Sequence, residues 1–434
     1  MLSTRSLCYT LFAFPLISNA QSSGATYVTP DPASRAKLAV PALQTWYNKT
    51  TGLWETTGWW NGANIVTMLG DYAKAFPADA EVQTVTTQAF SNALARAPMK
   101  NPQPGIEDAT PYGPNNGLAE FQTGYFKDRD PVTFEPHSRF PANWRDSNRR
   151  VSKSSAPYYP AKPDPHAWLD GYYDDDLWWA LAWINAYDVT HHQQYLDLAE
   201  GIFLAVSKTW GTYCWNGGIY WSWEKNYVNA IANELFFSTA AHLANRIQSR
   251  KKTYLDWAKK SLDWFFASGM INSEGTINDG LTEKCQNNGK TTWSYNQGVI
   301  LGGLVELHRV DTYPKYDYLK TAHDIALAAL KKLSDHNGVI HDVCEPNCGA
   351  DGAQFKGIFI RNLYRLHQAA PNATFAKAIR VNGDSIWNND RVTRGNSPFF
   401  SVNWAGPYVK PENASTHSSA MDALVAAAVT KPMY

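Results

Sequence analysis

The chain alternates two kinds of helical segment, and that alternation constrains its fold more than any other feature. One kind is amphipathic. In KKTYLDWAKKSLDWFF (251–266), Leu255, Ala258, Leu262 and Phe265 share one face, while Lys252, Asp256, Lys259, Lys260 and Asp263 lie off it. Segments near 32–48, 81–96, 192–208, 317–333 and 374–389 follow the same pattern. The other kind is apolar nearly all round: LWWALAWINAY (177–187), AIANELFFSTAAHLA (230–244), YNQGVILGGLVEL (295–307), and segments near 61–76, 353–369 and 416–430. A helix without a polar face is stable only when buried on every side. Six buried helices alternating with six amphipathic ones predict an all-α fold, an (α/α)6 barrel built as a toroid of helical hairpins. No βαβ pattern competes, and a solenoid has no reason to bury one set of helices completely.

The connections sort into two classes as well. Passing from a buried helix to the next amphipathic one takes few residues, as in PADA (77–80), THH (190–192) and QSR (248–250). The reverse passage takes long, aromatic, Gly-rich loops such as 209–226, 270–291 and 334–352, together with a Pro-rich insertion at about 97–172. In a closed ring all loops of one class share a face, so the long loops sit over the N-terminal ends of the buried helices. Long loops on a rigid scaffold are where function is expected. The first turns of those helices offer Asn61 and Asn64; Asp174, Asp175 and Asp176; Asn229, Asn233 and Glu234; Tyr295, Asn296 and Gln297; Gln354 and Lys356; His417 and Ser418. Capping accounts for a polar residue at any one helix start. Six such sets converging on one axis predict a polar, aromatic-rimmed cleft suited to an uncharged, hydroxyl-rich ligand.

Charge and composition narrow the partner. The chain carries 39 Lys and Arg against 39 Asp and Glu, which removes the electrostatic reason to expect nucleic acid or an anionic membrane. Its 18 Trp and 23 Tyr are able to stack on sugar rings, although aromatic side chains fill cores more often. Residues 1–20, MLSTRSLCYTLFAFPLISNA, have Arg5, a short apolar run and small residues at Ser18 and Ala20, the pattern of a cleaved signal peptide. The single domain expected is then 21–434. VAAAVTKPMY at the C-terminus lacks the spacer and apolar tail of a lipid-anchor signal, so a secreted monomer without membrane anchor is expected.

Beyond the leader, Cys214, Cys285, Cys344 and Cys348 suggest two disulfides with three connectivities open. The CEPNC loop is short enough to close on itself, leaving Cys214 to Cys285. A zinc site would need paired CxxC spacing, which is missing. Sequons fall at Asn48, Asn372 and Asn413. The templates GxSxG, HExxH, a phosphate-binding Walker loop and GxGxxG do not occur, the histidines are scattered, and no metal or cofactor is expected.

The chemistry concentrates in LDGYYDDDLWWALAW (169–183), where three carboxylates open a helix too apolar for the surface. Cleaving a glycosidic bond takes two carboxyl groups, one ionised and one protonated, roughly 5–5.5 Å apart in retaining enzymes and about 6.5–9.5 Å apart in inverting ones. Adjacent aspartates at a helix start reach the shorter separation. The helix N-terminus favours an ionised nucleophile, and two close carboxylates resist joint ionisation, which pushes one toward the acid role. The competing reading is that all three complement the helix dipole.

The blocks YYDDDLWWALAWINAYDVT, NGGIYWSWEKNYVNAIANELF, INDGL, YNQGVILGGLVELHR, AQFKGIFIRNLYRL and SSAMDAL, in this order over about residues 170–430, resemble glycoside hydrolase family 76. That family comprises endo-α-1,6-mannanases and related fungal cell-wall transglycosidases. The resemblance implies an (α/α)6 barrel and a retaining mechanism on α-1,6-mannan or another mannose-containing oligosaccharide. Matched onto YYDDD, it makes Asp174 the nucleophile, Asp175 the acid/base and Asp176 a bystander. Asp279, Asn229, Asn296, Gln297 and Lys356 are then candidate partners for mannose hydroxyls, and Trp59, Trp60, Trp221 and Trp223 candidate stacking platforms. Transglycosylation onto a sugar acceptor and glycan binding without catalysis are the alternatives.

Overall fold

A computed structural model describes residues 30–103 and 163–433. Among the described residues twelve α-helices run in chain order: α1 (Pro32–Gln44), α2 (Trp59–Ala75), α3 (Ala80–Arg96), α4 (Tyr173–Thr190), α5 (Gln193–Ser207), α6 (Ala230–Arg246), α7 (Lys251–Ala267), α8 (Ser294–Val310), α9 (Tyr318–Leu333), α10 (Phe355–Ala369), α11 (Ala373–Asn389) and α12 (Ala414–Val429). The even-numbered helices close a ring. Each packs on the next, from α2 through α12, and α12 returns to α2. The odd-numbered helices flank it, α3 against α2, α5 against α4 and so on, with α1 lying on α12. This is the (α/α)6 barrel expected from the alternation, and burial explains it. In α6 every residue from Ala230 to Ala244 is buried, whereas α9 buries only a stripe through Tyr318, Ala322, Ile325, Ala326, Ala329, Leu330 and Leu333.

Much of the tryptophan content belongs to the scaffold. Trp59 lies 4.8 Å from Trp179 between ring centres, Trp168 stands 4.9 Å from Trp183, and Trp183 stacks on Tyr195 at 5.3 Å, joining α2, α4 and α5. Such pairs add about 0.5–1.5 kcal/mol each beyond the area they bury.

The two disulfides are Cys214–Cys285 and Cys344–Cys348. Both lie in the long loops before α6, α8 and α10, and the first ties two of those loops together. The leader 1–20 and most of the 97–172 insertion lie outside the described residues. The insertion's two ends are held together by Asn101, whose side-chain amide donates to the carbonyls of Ala167 at 3.0 Å and Leu169 at 2.9 Å. Of the sequon residues, Asn372 and Asn413 cap α11 and α12 with their side chains. Among the described residues no helix is long and apolar enough to cross a membrane.

Two small features depart from the sequence reading. Helix α1 ends at Gln44 rather than near 48, because Tyr47–Asn48 pairs with Leu53–Trp54 in a hairpin, and Arg391–Arg394 pairs with Ser397–Phe400 in another. Strands this short carry no readable alternation.

Candidate active site

Helix α4 starts at Tyr173, so Asp174, Asp175 and Asp176 occupy its first turn. Asp175 and Asp176 are buried, 2% and 1% exposed, while Asp174 is half-buried. A fourth carboxylate joins them. Asp170 is fully buried, and Gly171, with φ +86°, turns the chain so that Asp170 folds back under the helix. The Asp170 N–H donates to Asp176 Oδ1 at 2.9 Å, and the Tyr172 N–H donates to Asp170 Oδ1 at 3.0 Å. The second oxygens of the Asp170 and Asp176 carboxyls have no hydrogen-bond partner among the described residues. Burial, then the neighbouring charge of Asp170, pushes Asp176 well above the usual carboxylate range. Burial pushes Asp170 up to about 7, against the opposing pull of the Tyr172 N–H. Asp176 anchors Asp170 in the fold through the Asp170 N–H.

Asp174, half-buried, lies against the loop before α6. The loop before α6 is stitched onto the start of α4 by two backbone bonds, Tyr173 N–H to Trp221 O at 3.0 Å and Trp223 N–H to Gly171 O at 2.8 Å, and folded on itself by a third, Trp221 N–H to Tyr227 O at 2.7 Å. That stitching places the half-buried indole of Trp221, whose Nε1 donates to Asp174 Oδ2 at 3.2 Å. Burial pushes Asp174 up to about 7. The Trp221 bond and backbone N–H groups of the first turn oppose the rise, and the charge of Asp351 adds to it.

The remaining candidates divide. Asp279 is half-buried and accepts from the Tyr227 hydroxyl at 2.5 Å, with Tyr227 edge-on to Trp221 at 6.5 Å, so Asp174, Trp221, Tyr227 and Asp279 line one wall. On the other wall Tyr295 stacks on Phe355 at 3.8 Å, and Trp60 stacks on Trp178 at 5.8 Å while its Nε1 donates to Asp351 at 2.9 Å. Burial and the carboxylates of Asp279, Asp174, Asp351 and Glu234 hold the Tyr295 hydroxyl in its protonated, donating form. Asn296 and Glu234, both fully buried, keep side-chain polar atoms without a protein partner.

The other candidates serve the scaffold. Gln297 spends its amide on the backbone of Ile277, accepting at 2.8 Å and donating at 2.8 Å. Lys356 is 1% exposed and holds Val402 O at 2.7 Å and Glu345 at 2.6 Å. Asn229 caps α6, Trp59 lies in the core, and Trp223 is 8% exposed. Sequence reasoning missed Asp170, Tyr227 and Asp351. Asp170 stood in view as the acid before the glycine of LDGYYDDD, whereas the other two carry no local signal.

A cavity of about 470 Å³ lies at the opposite end of the ring, among the C-terminal halves of the inner helices. Its acids are paired: Asp71 with Arg365 and Lys74, Asp188 with Arg246, Glu306 with Arg246 and Arg309. At the head of α4, by contrast, burial raises Asp170, Asp174 and Asp176 above the usual carboxylate range.

Residues 150–433 match the family model described as glycosyl hydrolase family 76. The chain belongs to that family. Among curated relatives, the mannan endo-1,6-alpha-mannosidases of Candida albicans and Saccharomyces cerevisiae are each 29% identical, over 44% and 46% of this chain. The matches cover 46% and 47% of those relatives, so the chain spans about half the length of the curated proteins it matches. Among solved structures, the GH76A α-1,6-mannanase of a Salegentibacter species superposes with a TM-score of 0.66 at 17% identity, covering 92% of this chain and all of that one (100%). An inactive variant of it, with two consecutive aspartates replaced by asparagine, was solved with α-1,6-mannotriose. Dfg5 of Chaetomium thermophilum, solved with glucosamine, gives a TM-score of 0.65 at 19% identity, covering 92% and 91%. Family 76 membership and these structures agree with the barrel.

Proposed function

We propose that this protein is a secreted, retaining glycoside hydrolase that cleaves α-1,6-mannosidic linkages in mannan, with Asp174 as nucleophile and Asp175 as acid/base. The observation that carries the reading is the difference between two neighbours within one helical turn: Asp174 is half-buried under an indole N–H, and Asp175 is buried. Their adjacency suits the shorter separation of retaining enzymes. The consecutive aspartates whose replacement inactivates the Salegentibacter mannanase, and the names of the curated relatives, support the same pair and the same linkage.

In the first step Asp174 attacks the anomeric carbon while Asp175 passes its proton to the departing glycosidic oxygen, leaving a mannosyl ester on Asp174. In the second step the Asp175 carboxylate takes a proton from water, which attacks the same carbon and releases Asp174. The transition state carries positive charge on the sugar, and the surrounding carboxylates of Asp279 and Asp351 favour it electrostatically. The Trp221 N–H eases ionisation of Asp174 in the resting enzyme.

The test is digestion of debranched α-1,6-mannan with the first-formed anomer followed by NMR. Release of the α-anomer supports the reading; first release of the β-anomer overturns the retaining mechanism. The same ester can pass to a sugar hydroxyl instead of water. The likeness to Dfg5 with its bound glucosamine is the reason to run the digestion with and without an added acceptor. Disulfides belong to oxidising compartments, and with the leader they support an extracellular location.

A further inference from the structure

The CEPNC disulfide lies in the loop before α10 and takes no part in the chemistry above. Its position gives it a task. Gly352 packs directly on it: a Cβ there would stand 3.0 Å from Cys344 Sγ and 3.1 Å from Cys348 Cβ, close enough that any side chain would press the chain and the disulfide apart. The residue before it is Asp351. The rest of the loop is pinned from both sides. Asp342 takes the backbone N–H and hydroxyl of Ser294 at the start of α8, at 2.8 Å and 2.6 Å, and Glu345 holds Lys356 in the first turn of α10. Asp351 is thus carried on a braced platform.

The Asp351 carboxylate does not cap the turn that follows it. It reaches across to Trp60, whose Nε1 donates to Oδ1 at 2.9 Å. Trp60 in turn lies on Trp178, one turn after Asp174 in α4. Asp351 is half-buried, and its charge bears on both Asp174 and the hydroxyl of Tyr295. A half-buried carboxylate oriented by a single indole bond and without a cation partner among the described residues keeps acceptor capacity. The hydroxyl groups of a pyranose are the donors that fit it.

We propose that Asp351 is a sugar-binding residue of the cleft, accepting hydrogen bonds from mannopyranosyl hydroxyls, and that the Cys344–Cys348 disulfide positions it through Gly352. This rests on the mannan reading above. The test begins with calorimetric titration of α-1,6-mannotriose into D174N/D175N, where no turnover interferes, and into D174N/D175N/D351N. The asparagine still accepts from Trp60, so the fold is kept, and melting temperatures serve as the check. A charged acceptor is worth roughly tenfold or more in affinity, so D351N is expected to weaken binding about ten- to hundredfold. Equal affinities overturn the proposal.

In the otherwise unmodified enzyme, D351N is expected to raise KM for α-1,6-mannan by a similar factor. It also removes a negative charge near Asp174, so the acid limb of kcat/KM should move to lower pH, a change a merely structural residue would not produce. Cys344→Ser with Cys348→Ser should raise KM by less and leave that limb in place, because the charge remains. A disulfide variant indistinguishable from the parent in KM overturns the positioning half. Turnover of mannan by the unmodified protein, together with equal mannotriose affinity in the two inactive variants, would sink this inference and leave the proposed activity standing. Neither turnover nor binding would sink both.

Discussion

The two ends of the barrel use the same inner helices and the same residue types to opposite effect. At the C-terminal end, acids meet bases. Burial would raise Glu306, but His242, Arg246 and Arg309 more than offset it and hold it down to about 2; Arg365 and Lys74 likewise hold Asp71 well below its ordinary value. At the N-terminal end burial dominates: Asp170 and Asp174 rise to about 7, and Asp176 and Glu234 rise well above their ordinary values. At the first end these pairs tie helices together, and Asp422, raised to about 7 by burial against the pull of Arg361, is the exception. The other keeps groups that titrate near neutrality, where acid–base work is done. Cavity size points to the wrong end, and the state of the carboxylates points to the right one.

The strongest way to break this contrast is to remove the acids one at a time. Asp174→Asn and Asp175→Asn are each expected to cut mannan hydrolysis by about a thousandfold or more. Asp176→Asn should keep substantial activity, because its amide oxygen can still accept the Asp170 N–H. Reducing-sugar release from debranched α-1,6-mannan measures all three. Comparable loss in Asp176→Asn would make Asp176 part of the chemistry itself.

At the other end the expected effect falls on stability. Glu306→Gln leaves Arg309 without its carboxylate and Arg246 with only Asp188, and should cost about 3 kcal/mol in urea unfolding. The kcat of the surviving folded enzyme should be unchanged. A large loss of kcat at unchanged stability would mean the two ends are coupled through the ring.

How far the sequence foretold this differs between scaffold and site. The inner helices were legible because an all-apolar helix such as 230–244 has no other stable place, and the loop classes then fixed which face holds the site. The aspartate triplet was legible for the same reason. Gln297 and Lys356 misled because a polar residue at an inner helix start has two possible employers, ligand and loop. Long loops bring buried backbone groups that must be paired. Gln297 serves both backbone groups of Ile277, as Asn233 serves both of Ile219, at 2.8 Å and 3.0 Å. Asp170 escaped because its meeting with Asp175 and Asp176 depends on the turn at Gly171, which no periodicity announces.

A raised carboxylate is also a stability statement with a definite sign. Asp174 titrates at about 7 when folded and near 3.8 when unfolded. Below both values the group is neutral in either state and costs nothing. As pH climbs between them, the unfolded chain ionises and the folded one resists, so stability falls, levelling off above the folded value. Asp174→Asn removes that loss. The inactive variant should match the parent near pH 4 and exceed it by about 2 kcal/mol at pH 7, within the limit of about 1.4 kcal/mol per pH unit for one proton. Urea midpoints at pH 4, 5.5 and 7 read this, and a gap that narrows with pH would show that Asp174 is ionised throughout.

The finest adjustment lies in the single indole N–H. Trp221→Phe keeps an aromatic wall against Tyr172 and Tyr227 but withdraws the donor that favours ionised Asp174. A hydrogen bond to a charged group is worth about 1.5 kcal/mol, close to one pH unit. Trp221→Phe should therefore move the acid limb of kcat/KM upward by up to about one unit, opposite to the shift expected for Asp351→Asn. Opposed shifts would mean that Asp174 is the group titrating in that limb and that Trp221 and Asp351 set it from the two walls of the cleft. If both variants move the limb the same way, the titrating group is another acid of the cluster and the nucleophile must be reassigned.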